Sequence, residues 1–473
     1  MSEKYDLVVI GSGPAGEKGA AQAAYFGKKV AMIERSENPG GTGINTGTIP
    51  SKTLRETALY FSGLRQRGLY GIDYCLREGL TVADFMHRKQ VVIENEWEIV
   101  RQNIDRHNIR LIRGTAALKD AHTVHIATPK GAALDLETDF ILIAAGSSPY
   151  HPPNIRFDHR LIYDSDSILH MSRIPKTMAV VGGGGVVGVE YASVFAALGV
   201  QVTLVEKRDG LLSFVDPEIS SRLQGHLDRI GVRFHFGEAV ASVQTSVDQV
   251  SVTLTSGAIL GPDIVLFAAG RESNVRDLGL ESVGVQTLQR GIIMVNDQFQ
   301  TSVPNIYAAG DVLGFPALAS ISMEQARVAM VHAFDLHYKE NVSKVIPLAI
   351  YAIPEIAMVG LTEKDCKDEG IEYLVGRAFY DKSPRGQIIG DTEGMLKLIF
   401  RPSDKRLLGV HMMGEMSSEL IHIGAHVMAA NGSIDSFISA VYNYPTLSDS
   451  YKYAAYDGLG NLATWSAGRA AVG

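Results

Sequence analysis

Cysteine is scarce in this chain, since only Cys75 and Cys366 occur among 473 residues. Two cysteines far apart in sequence exclude a disulfide-stapled scaffold and indicate free thiols in a reducing compartment. Long apolar runs are also missing, because none approaches the roughly 18 residues that a membrane span needs. The first residues lack the charged and apolar regions of a signal peptide. We therefore expect a cytoplasmic protein without membrane contact.

Charge of one sign does not accumulate anywhere along the sequence. The formal net charge is −8, and the shares of 20% charged and 46% hydrophobic residues are those of an ordinary globular protein. Without a long basic run, nucleic acid and anionic membranes are poor candidate partners. A chain of 473 residues is too long for one hydrophobic core, so we expect roughly two to four domains.

Glycine is plentiful, at 48 residues, and part of it forms a recognisable loop. Residues 7–10 predict a strand, which leads into Gly11, Gly13 and Gly16, a helix, and a second strand that ends at Glu34. The first glycine permits the turn, the second brings backbone close to a pyrophosphate, and the third lets helix and strand pack. Glu34 follows Gly16 by 18 residues, where a carboxylate can accept hydrogen bonds from a ribose. This unit predicts a dinucleotide bound at a helix N-terminus.

The same arrangement recurs in the middle of the chain. A strand at residues 178–182 leads into Gly183, Gly185 and Gly188, and a second strand ends at Glu206, again 18 residues after the last glycine. Two complete fingerprints at one spacing predict two bound dinucleotides.

Three further segments read as strands that stop at small residues: 140–149, 263–271 and 305–311. Prolines at positions 149, 152 and 153 indicate a linker through which the chain leaves one nucleotide domain for the other. The third strand ends at Asp311, and residues 317–337 follow as a predicted helix.

Residues 40–52 read GGTGINTGTIPSK, which resembles the redox-disulfide segment of the flavoprotein disulfide reductases, G-G-T-C-x-N-x-G-C-x-P-S-K. With both fingerprints, the linker at residues 144–147 and the motifs at 270–271 and 308–311, the chain is similar to the family of glutathione reductase and dihydrolipoamide dehydrogenase. The motifs follow in order across residues 5 to 460.

The resemblance implies an α/β fold with two Rossmann-like dinucleotide-binding domains and a C-terminal α+β dimerisation domain. The expected limits are 1–150 for the FAD-binding domain, 151–275 for the NAD(P)-binding domain, 276–345 for a central domain that completes the FAD site, and 346–473 for the dimerisation domain. A homodimer, or a higher homo-oligomer built from it, is expected.

The departures from the family pattern concern its sulfur chemistry. Gly43 and Thr48 stand where the two redox cysteines would be, and Tyr444 and Asp449 stand where the catalytic histidine and its glutamate would be. That histidine protonates a leaving thiolate, so a protein without the thiolate needs no such base. Electrons on the flavin must then pass directly to a substrate.

This combination resembles the soluble, Si-specific pyridine nucleotide transhydrogenases. The reaction that the resemblance implies is ping-pong: NADPH gives a hydride to FAD, NADP⁺ leaves, and NAD⁺ takes the hydride, with the reverse direction equally open. FAD, NAD and NADP are therefore the expected cofactors and substrates.

The resemblance also assigns site residues. Lys52 is expected near flavin N5, paired with Glu190, and this pair forms the predicted catalytic centre. The residues expected to bind the cofactors, in addition to this pair, are Gly11, Gly13, Gly16, Glu34, Arg35, Gly40, Gly41, Thr42, Gly114, Ala145, Gly146, Ser147, Gly183, Gly185, Val186, Gly188, Glu206, Arg208, Gly270, Arg271, Gly310 and Asp311. Val186 replaces a tyrosine that covers the nicotinamide site in some relatives.

Nucleotide preference is expected to depend on the end of the second fingerprint. Glu206 suits the 2′-hydroxyl of NAD(H) and repels the 2′-phosphate of NADP(H). Arg208 can pair bidentately with that phosphate, whereas Lys207 is equally well explained as a solvated strand end. An acid and an arginine side by side predict dual specificity.

Other functions remain open on this sequence. An NAD(P)H-dependent quinone reductase also needs no dithiol, but it needs an apolar acceptor site, for which Phe61, Tyr442 and Tyr444 are candidates. An NAD(P)H oxidase, which usually has a redox cysteine near the flavin, and a non-enzymatic nucleotide sensor are further alternatives. His422 and His426 lie four residues apart without a third ligand, so no metal site is expected.

Overall fold

The structure is a computed structural model that describes residues 3–63 and 81–470, so Cys75 lies outside the described residues. Its strands are β1 Glu3–Ile10, β2 Val30–Glu34, β3 Arg110–Arg113, β4 Thr115–Asp120, β5 Thr123–Ala127, β6 Ala133–Ile143, β7 Ser147–Pro149, β8 Ile162–Asp164, β9 Thr177–Val181, β10 Gln201–Glu206, β11 Arg233–Phe236, β12 Val240–Thr245, β13 Val250–Leu254, β14 Ile259–Leu260, β15 Ile264–Phe267, β16 Arg271–Ser273, β17 Ile306–Ala308, β18 Leu348–Ile350, β19 Ile356–Gly360, β20 Leu374–Phe379, β21 Met395–Phe400 and β22 Leu407–Met413.

The α-helices in the same described ranges are α1 Pro14–Tyr25, α2 Gly41–Asn45, α3 Thr48–Ser62, α4 Val82–Arg106, α5 Val186–Ala197, α6 Pro217–Arg229, α7 Leu280–Val283, α8 Ala319–Ala333, α9 Glu363–Asp368, α10 Pro384–Ile389, α11 Ser417–Ala429, α12 Asp435–Ser439 and α13 Ser450–Ala470. None of the helices so described is long and apolar enough to cross a membrane.

The first sheet has the order β3-β2-β1-β6-β5-β4, with β17 paired to the end of β6. The strands β1, β2, β3, β6 and β17 are parallel, whereas β4 and β5 form an antiparallel meander against β6. The core strands are buried on both faces, because α1, α4 and α8 cover one face and the β4–β5 meander with residues 275–293 covers the other. The parallel strands direct their carboxyl ends, and hence the first glycine loop and Asp311, to one edge.

The second sheet is parallel throughout, in the order β11-β10-β9-β15-β8. The antiparallel sheet β12-β13-β14 packs against it. The chain passes between the two nucleotide domains twice. The two connecting segments pair with each other, because β7 and β16 form an antiparallel two-stranded ribbon. The proline-containing linker predicted from the sequence is one strand of this ribbon.

The C-terminal part contains the antiparallel sheet β18-β19-β22-β21-β20, which α11 and α13 cover. The strands and helices predicted around the glycine loops and around Asp311 are confirmed with small shifts in their ends. An α/β fold with two Rossmann-like sheets and a C-terminal α+β domain is therefore confirmed. The four domain limits given above stay a prediction.

Candidate functional site

A cavity of about 1630 Å³ lies between the three parts of the chain. It runs from the first glycine loop past the N-terminus of α5 to the start of the C-terminal sheet. The predicted site residues that line it are Gly11, Gly13, Glu34, Arg35, Gly41, Thr42, Lys52, Gly114, Ala145, Gly146, Ser147, Val186, Glu190, Arg271, Gly310 and Asp311. The volume exceeds the ~300–1,000 Å³ of a typical small-molecule pocket.

The first glycine loop forms a cradle that side chains would fill. A Cβ atom at Gly11, which has φ +103°, would lie 2.3 Å from the carbonyl oxygen of Ala144. A Cβ atom at Gly41 would lie 2.7 Å from the Cα atom of Gly13. Gly16 does not line the cavity, but its Cβ atom would lie 1.9 Å from the carbonyl oxygen of Gly11, which explains why the third position is glycine.

Glu34 organises this loop. Its Oε2 atom accepts hydrogen bonds from Ser12 N at 3.1 Å and from Ser12 Oγ at 2.6 Å, and its Oε1 atom accepts one from Ser36 N at 2.7 Å. Ser12 Oγ in turn accepts a hydrogen bond from Gly40 N at 3.1 Å. The buried carboxylate thus joins the glycine loop to residues 36–40, and it lines the cavity. This cradle and its acid fit the adenosine diphosphate part of FAD.

A chain of hydrogen bonds crosses from the first nucleotide domain to the second. Ser147 Oγ donates to Asp311 Oδ2 at 2.6 Å. Arg271 Nε donates to Ser147 Oγ at 2.8 Å, and Arg271 Nη1 lies 3.4 Å from Asp166 Oδ1. Arg271 therefore lies at the junction of the two nucleotide domains. Burial raises the pKa of Asp166, although Arg271 opposes the shift.

The second glycine loop lies beside the cavity. Gly183, Gly185, Gly188, Glu206, Arg208 and Gly270 do not line it, and neither does Gly40 of the first site. A Cβ atom at Gly188 would lie 2.4 Å from the Cα atom of Gly183, so the helix α5 approaches the strand as a fingerprint requires. The N-terminus of α5 and Val186 connect this loop to the cavity.

Glu206 and Arg208 contact each other at the end of β10. Arg208 Nε donates to Glu206 Oε1 at 2.9 Å, and Gly184 N donates to Glu206 Oε2 at 2.9 Å. Burial alone would raise the pKa of Glu206, but the hydrogen bonds from Arg208 lower it below its ordinary value. The guanidinium is half exposed, so the acid and the base predicted to select the nucleotide form one ion pair at the surface.

Lys52 and Glu190 are joined by an ion pair of 2.7 Å at the centre of the cavity. Lys52 belongs to α3 and Glu190 to α5, so the pair joins the two nucleotide domains. Glu190 is buried, and its second oxygen, Oε1, accepts a hydrogen bond from Tyr351 N at 2.9 Å. Lys52 is 27% exposed, which keeps its ammonium accessible from the cavity.

The positions of the missing cysteines also line the cavity. Gly43 lies in α2 and Thr48 is the first residue of α3, so both flank the loop that leads to Lys52. The described residues place one thiol, Cys366, in the C-terminal part, where it is buried outside the cavity. Burial raises the pKa of Cys366 to about 11, which makes its thiolate scarce at neutral pH.

The sequence analysis predicts no role for Asp166 or Tyr351, which also line the cavity. Asp166 follows β8 in the run Asp164-Ser165-Asp166, a pattern that could have been noticed as an acid at the carboxyl end of a parallel strand. Tyr351 lies in the C-terminal part, and no local signal in the sequence could have linked it to Glu190.

The aromatic residues considered for an acceptor site lie elsewhere. Phe61, Tyr442 and Tyr444 do not line the cavity. Phe61 packs against the core between the nucleotide domains, and the side chain of Tyr444 is 71% exposed.

One group of three carboxylates in the described part of the chain is close enough to hold a metal ion: Asp216, Glu218 and Glu363. The ammonium of Lys397 lies between them, at 2.7 Å from Asp216, 3.0 Å from Glu218 and 2.5 Å from Glu363. The cation of this cluster is thus a lysine. His426 Nδ1 is 2.7 Å from the carbonyl oxygen of His422 within α11.

Comparison with known proteins agrees with this geometry. A family model described as pyridine nucleotide-disulphide oxidoreductase matches residues 5–333, and the dimerisation domain of the same family matches residues 346–455. A relative from Mycobacterium bovis, named soluble pyridine nucleotide transhydrogenase, is 45% identical over 460 residues, which are 97% of this chain and 98% of the relative. A relative of the same name from Colwellia psychrerythraea is 40% identical over 461 residues, with the same coverage of 97% and 98%.

Among solved structures, the HOCl-induced flavoprotein disulfide reductase RclA from Escherichia coli has a TM-score of 0.86 at 28% identity. The match covers 96% of this chain and 99% of that chain. The similarity therefore extends over both nucleotide domains and the C-terminal part together. The chain belongs to the pyridine nucleotide-disulphide oxidoreductase family.

Proposed function

We propose that this chain catalyses hydride transfer between NADPH and NAD⁺, in the reaction NADPH + NAD⁺ = NADP⁺ + NADH, with FAD as its cofactor. One observation carries the proposal: the segment that holds a redox disulfide in the family has Gly43 and Thr48 in place of both cysteines, while the Lys52–Glu190 ion pair of 2.7 Å beside it is intact. The names of the full-length relatives support the same reaction.

When bound, FAD supplies an acceptor for the hydride of one reduced nucleotide and a donor of it to the next oxidised one. The first glycine loop, Glu34 and Asp311 would hold it across the cavity. Lys52 would present a positive charge where electron density gathers, and Glu190 would keep that ammonium in place. An ammonium held ready in a partly desolvated site costs little reorganisation during the transfer.

The second glycine loop and the N-terminus of α5 would bind each pyridine nucleotide in turn, which is the basis for a ping-pong sequence. Glu206 would accept hydrogen bonds from the ribose of NAD(H), and Arg208 would turn from Glu206 to the 2′-phosphate of NADP(H). Because Arg208 is half exposed, this change of partner needs no opening of the core.

The assembly proposed is a homodimer formed through the C-terminal domain, in agreement with the dimerisation-domain match at residues 346–455. The cytoplasmic location rests on the scarcity of cysteine and stays a prediction.

The test compares two acceptors with the purified FAD-loaded protein. Turnover of NADPH with thio-NAD⁺ is measured beside turnover of NADPH with a soluble quinone, under anaerobic conditions. We expect the nucleotide to be the faster acceptor, and we expect the flavin band to bleach with NADPH and return with NAD⁺. Turnover far higher with the quinone would assign the protein to the quinone reductases instead. Failure of NADPH to bleach the band would leave a nucleotide-binding protein without this activity.

A further inference from the structure

Tyr351 belongs to the C-terminal part of the chain, yet it makes two contacts with the Lys52–Glu190 pair. Its backbone N donates to Glu190 Oε1 at 2.9 Å, and its ring lies 5.0 Å below Lys52 Nζ. The ring also lines the cavity. A lysine over an aromatic face at this distance is attracted by the ring quadrupole. Tyr351 thus contacts both members of the ion pair: its backbone N binds Glu190, and its ring contacts Lys52.

Tyr351 in turn lies next to a buried network of polar side chains. Burial and then the nearby Glu355 carboxylate raise the pKa of Tyr351, while a hydrogen bond with the Ser418 side chain lowers it. Ser418 donates from Oγ to Glu355 Oε2 at 2.9 Å, and Glu355 Oε1 lies 3.2 Å from Arg55 Nη1.

Arg55 connects this network back to Lys52, because both residues belong to helix α3. The side chain of Arg55 is buried, and its Nε donates to the carbonyl oxygen of Ala352, the residue after Tyr351, at 2.9 Å. The helix that carries Lys52 and the segment that carries Tyr351 are therefore held together at two points.

We propose that Tyr351 is a positioning residue for hydride transfer, which holds the Lys52 ammonium toward the cavity while its backbone N holds Glu190. This inference rests on the proposed function, since it concerns the same ion pair. It also means that the C-terminal part of the chain contributes a residue to the Lys52–Glu190 pair of its own chain.

The expected size follows from the strength of a cation–π contact. Such contacts contribute a factor of about twofold at exposed sites to about thirtyfold at desolvated ones. Lys52 is 27% exposed, so we expect an effect of about tenfold on the equilibrium between oxidised and reduced flavin. Tenfold corresponds to about 30 mV for a two-electron couple. Loss of the ring should make the potential more negative, because Glu190 alone then holds the ammonium, which can move away from the position that favours the electron-rich form.

The test measures the reduction potential of the bound FAD by equilibration with a reference dye, without any nucleotide. Tyr351→Leu removes the ring face, and Tyr351→Phe keeps it. We expect Tyr351→Leu to make the potential about 30 mV more negative and to lower kcat with little change in KM. We expect Tyr351→Phe to keep both its redox equilibrium and its kcat within about twofold of the values of the unmodified protein. Phe334→Leu is the matched control, because it removes a ring that lies 4.9 Å below Lys28 Nζ, away from the cavity.

A double-mutant cycle then separates positioning from a general structural effect. In a Lys52→Met background, Tyr351→Leu should shift the potential no further, because the charge that the ring positions is gone. An unchanged potential in Tyr351→Leu, or an equal shift in the Lys52→Met background, would overturn the inference. If Tyr351→Leu does not fold, Tyr351→Met, which fills the site with a flexible side chain, takes its place.

The two proposals can fail independently. A protein that binds FAD but does not transfer hydride from NADPH to thio-NAD⁺ would refute the proposed function. The dye measurement would still report whether Tyr351 acts on Lys52, since it needs no nucleotide.

Discussion

A Cβ atom at Gly43 would lie 2.9 Å from Cγ of Pro14, the first residue of helix α1. The proline ring therefore occupies the space that a side chain at position 43 would need. At position 43, where the family carries one of its two redox cysteines, packing against Pro14 leaves too little room for a side chain.

We predict that Gly43→Ala destabilises the protein although alanine favours helices. Alanine in place of a helical glycine gains up to about 1 kcal/mol, but forcing extra atoms into a packed site costs about 1–3 kcal/mol. The short helix α2 limits the gain, so we expect a net loss of about 1 kcal/mol in the free energy of unfolding. Gly460→Ala, in an exposed turn of α13 with nothing within 4 Å of the new Cβ atom, should be neutral or stabilising. Thermal unfolding of both variants decides the matter, and equal melting temperatures would refute the prediction.

We predict that Lys52→Met slows the reduction of bound FAD by NADPH by about tenfold to a hundredfold. The variant removes a charged hydrogen-bonding group, an interaction worth about 1.5–3 kcal/mol, from the cavity. Stopped-flow bleaching of the flavin band measures the rate.

Lys18→Met is a close control for that experiment. Lys18 forms an ion pair of 2.8 Å with Glu17, and the exposed fractions of 29% and 11% resemble those of the Lys52–Glu190 pair, yet neither residue lines the cavity. Its rate should match that of the unmodified protein. An equal slowing in both variants would show that Lys52 acts only through stability.

We predict that Arg208→Ala raises KM for NADPH by about tenfold or more and leaves KM for NADH within about twofold. In the proposed function this guanidinium pairs with the 2′-phosphate, and charged hydrogen bonds of this kind contribute about 1.5–3 kcal/mol. Lys207→Ala serves as the neighbouring control, because Lys207 is exposed and should change either KM little. Steady-state kinetics with both nucleotides give the comparison, and a similar rise for NADPH and NADH would remove phosphate recognition from Arg208.

We predict that Lys397→Met destabilises the protein by about 3–5 kcal/mol at neutral pH, because three carboxylates lose their buried cation. Burial opposes their charged forms, yet hydrogen bonds with Lys397 hold the pKa values of Asp216 and Glu363 below their ordinary values, and hydrogen bonds with Arg377 and Lys397 do the same for Glu218. The pKa of Lys397 is raised above its ordinary 10.5, since its three hydrogen bonds outweigh burial.

The sign of the pH dependence follows from these directions. Carboxylates with a lowered pKa contribute stability above their ordinary values of 3.8 and 4.5, and this contribution is lost as the pH falls through their folded values. Lys397 contributes below 10.5 and loses its contribution as the pH rises beyond its folded value. The difference in melting temperature between Lys397→Met and the unmodified protein should therefore be smaller at pH 4 than at pH 7. Lys382→Met, whose side chain is 81% exposed, should melt like the unmodified protein at both. A constant difference would contradict a charge-based role for Lys397.

The sequence by itself determined the elements that depend on local pattern. The two glycine loops, the strands that precede them and the acids at Glu34 and Glu206 follow from spacing, because a tight turn beside a pyrophosphate admits few residue types. The loss of the redox cysteines can likewise be recognised within one segment, residues 40–52.

Only the tertiary structure decided how distant residues meet. Tyr351 N and Glu190 are 161 residues apart in sequence, and Lys397 and Asp216 are 181 apart. Arg271 reaches Ser147 across 124 residues through the ribbon of β7 and β16. Such contacts are set by how the sheets and helices of separate domains pack, and no period or motif within one segment encodes them. The chain of residues behind Lys52, from Tyr351 through Ser418 and Glu355 to Arg55, is for that reason a property of the fold.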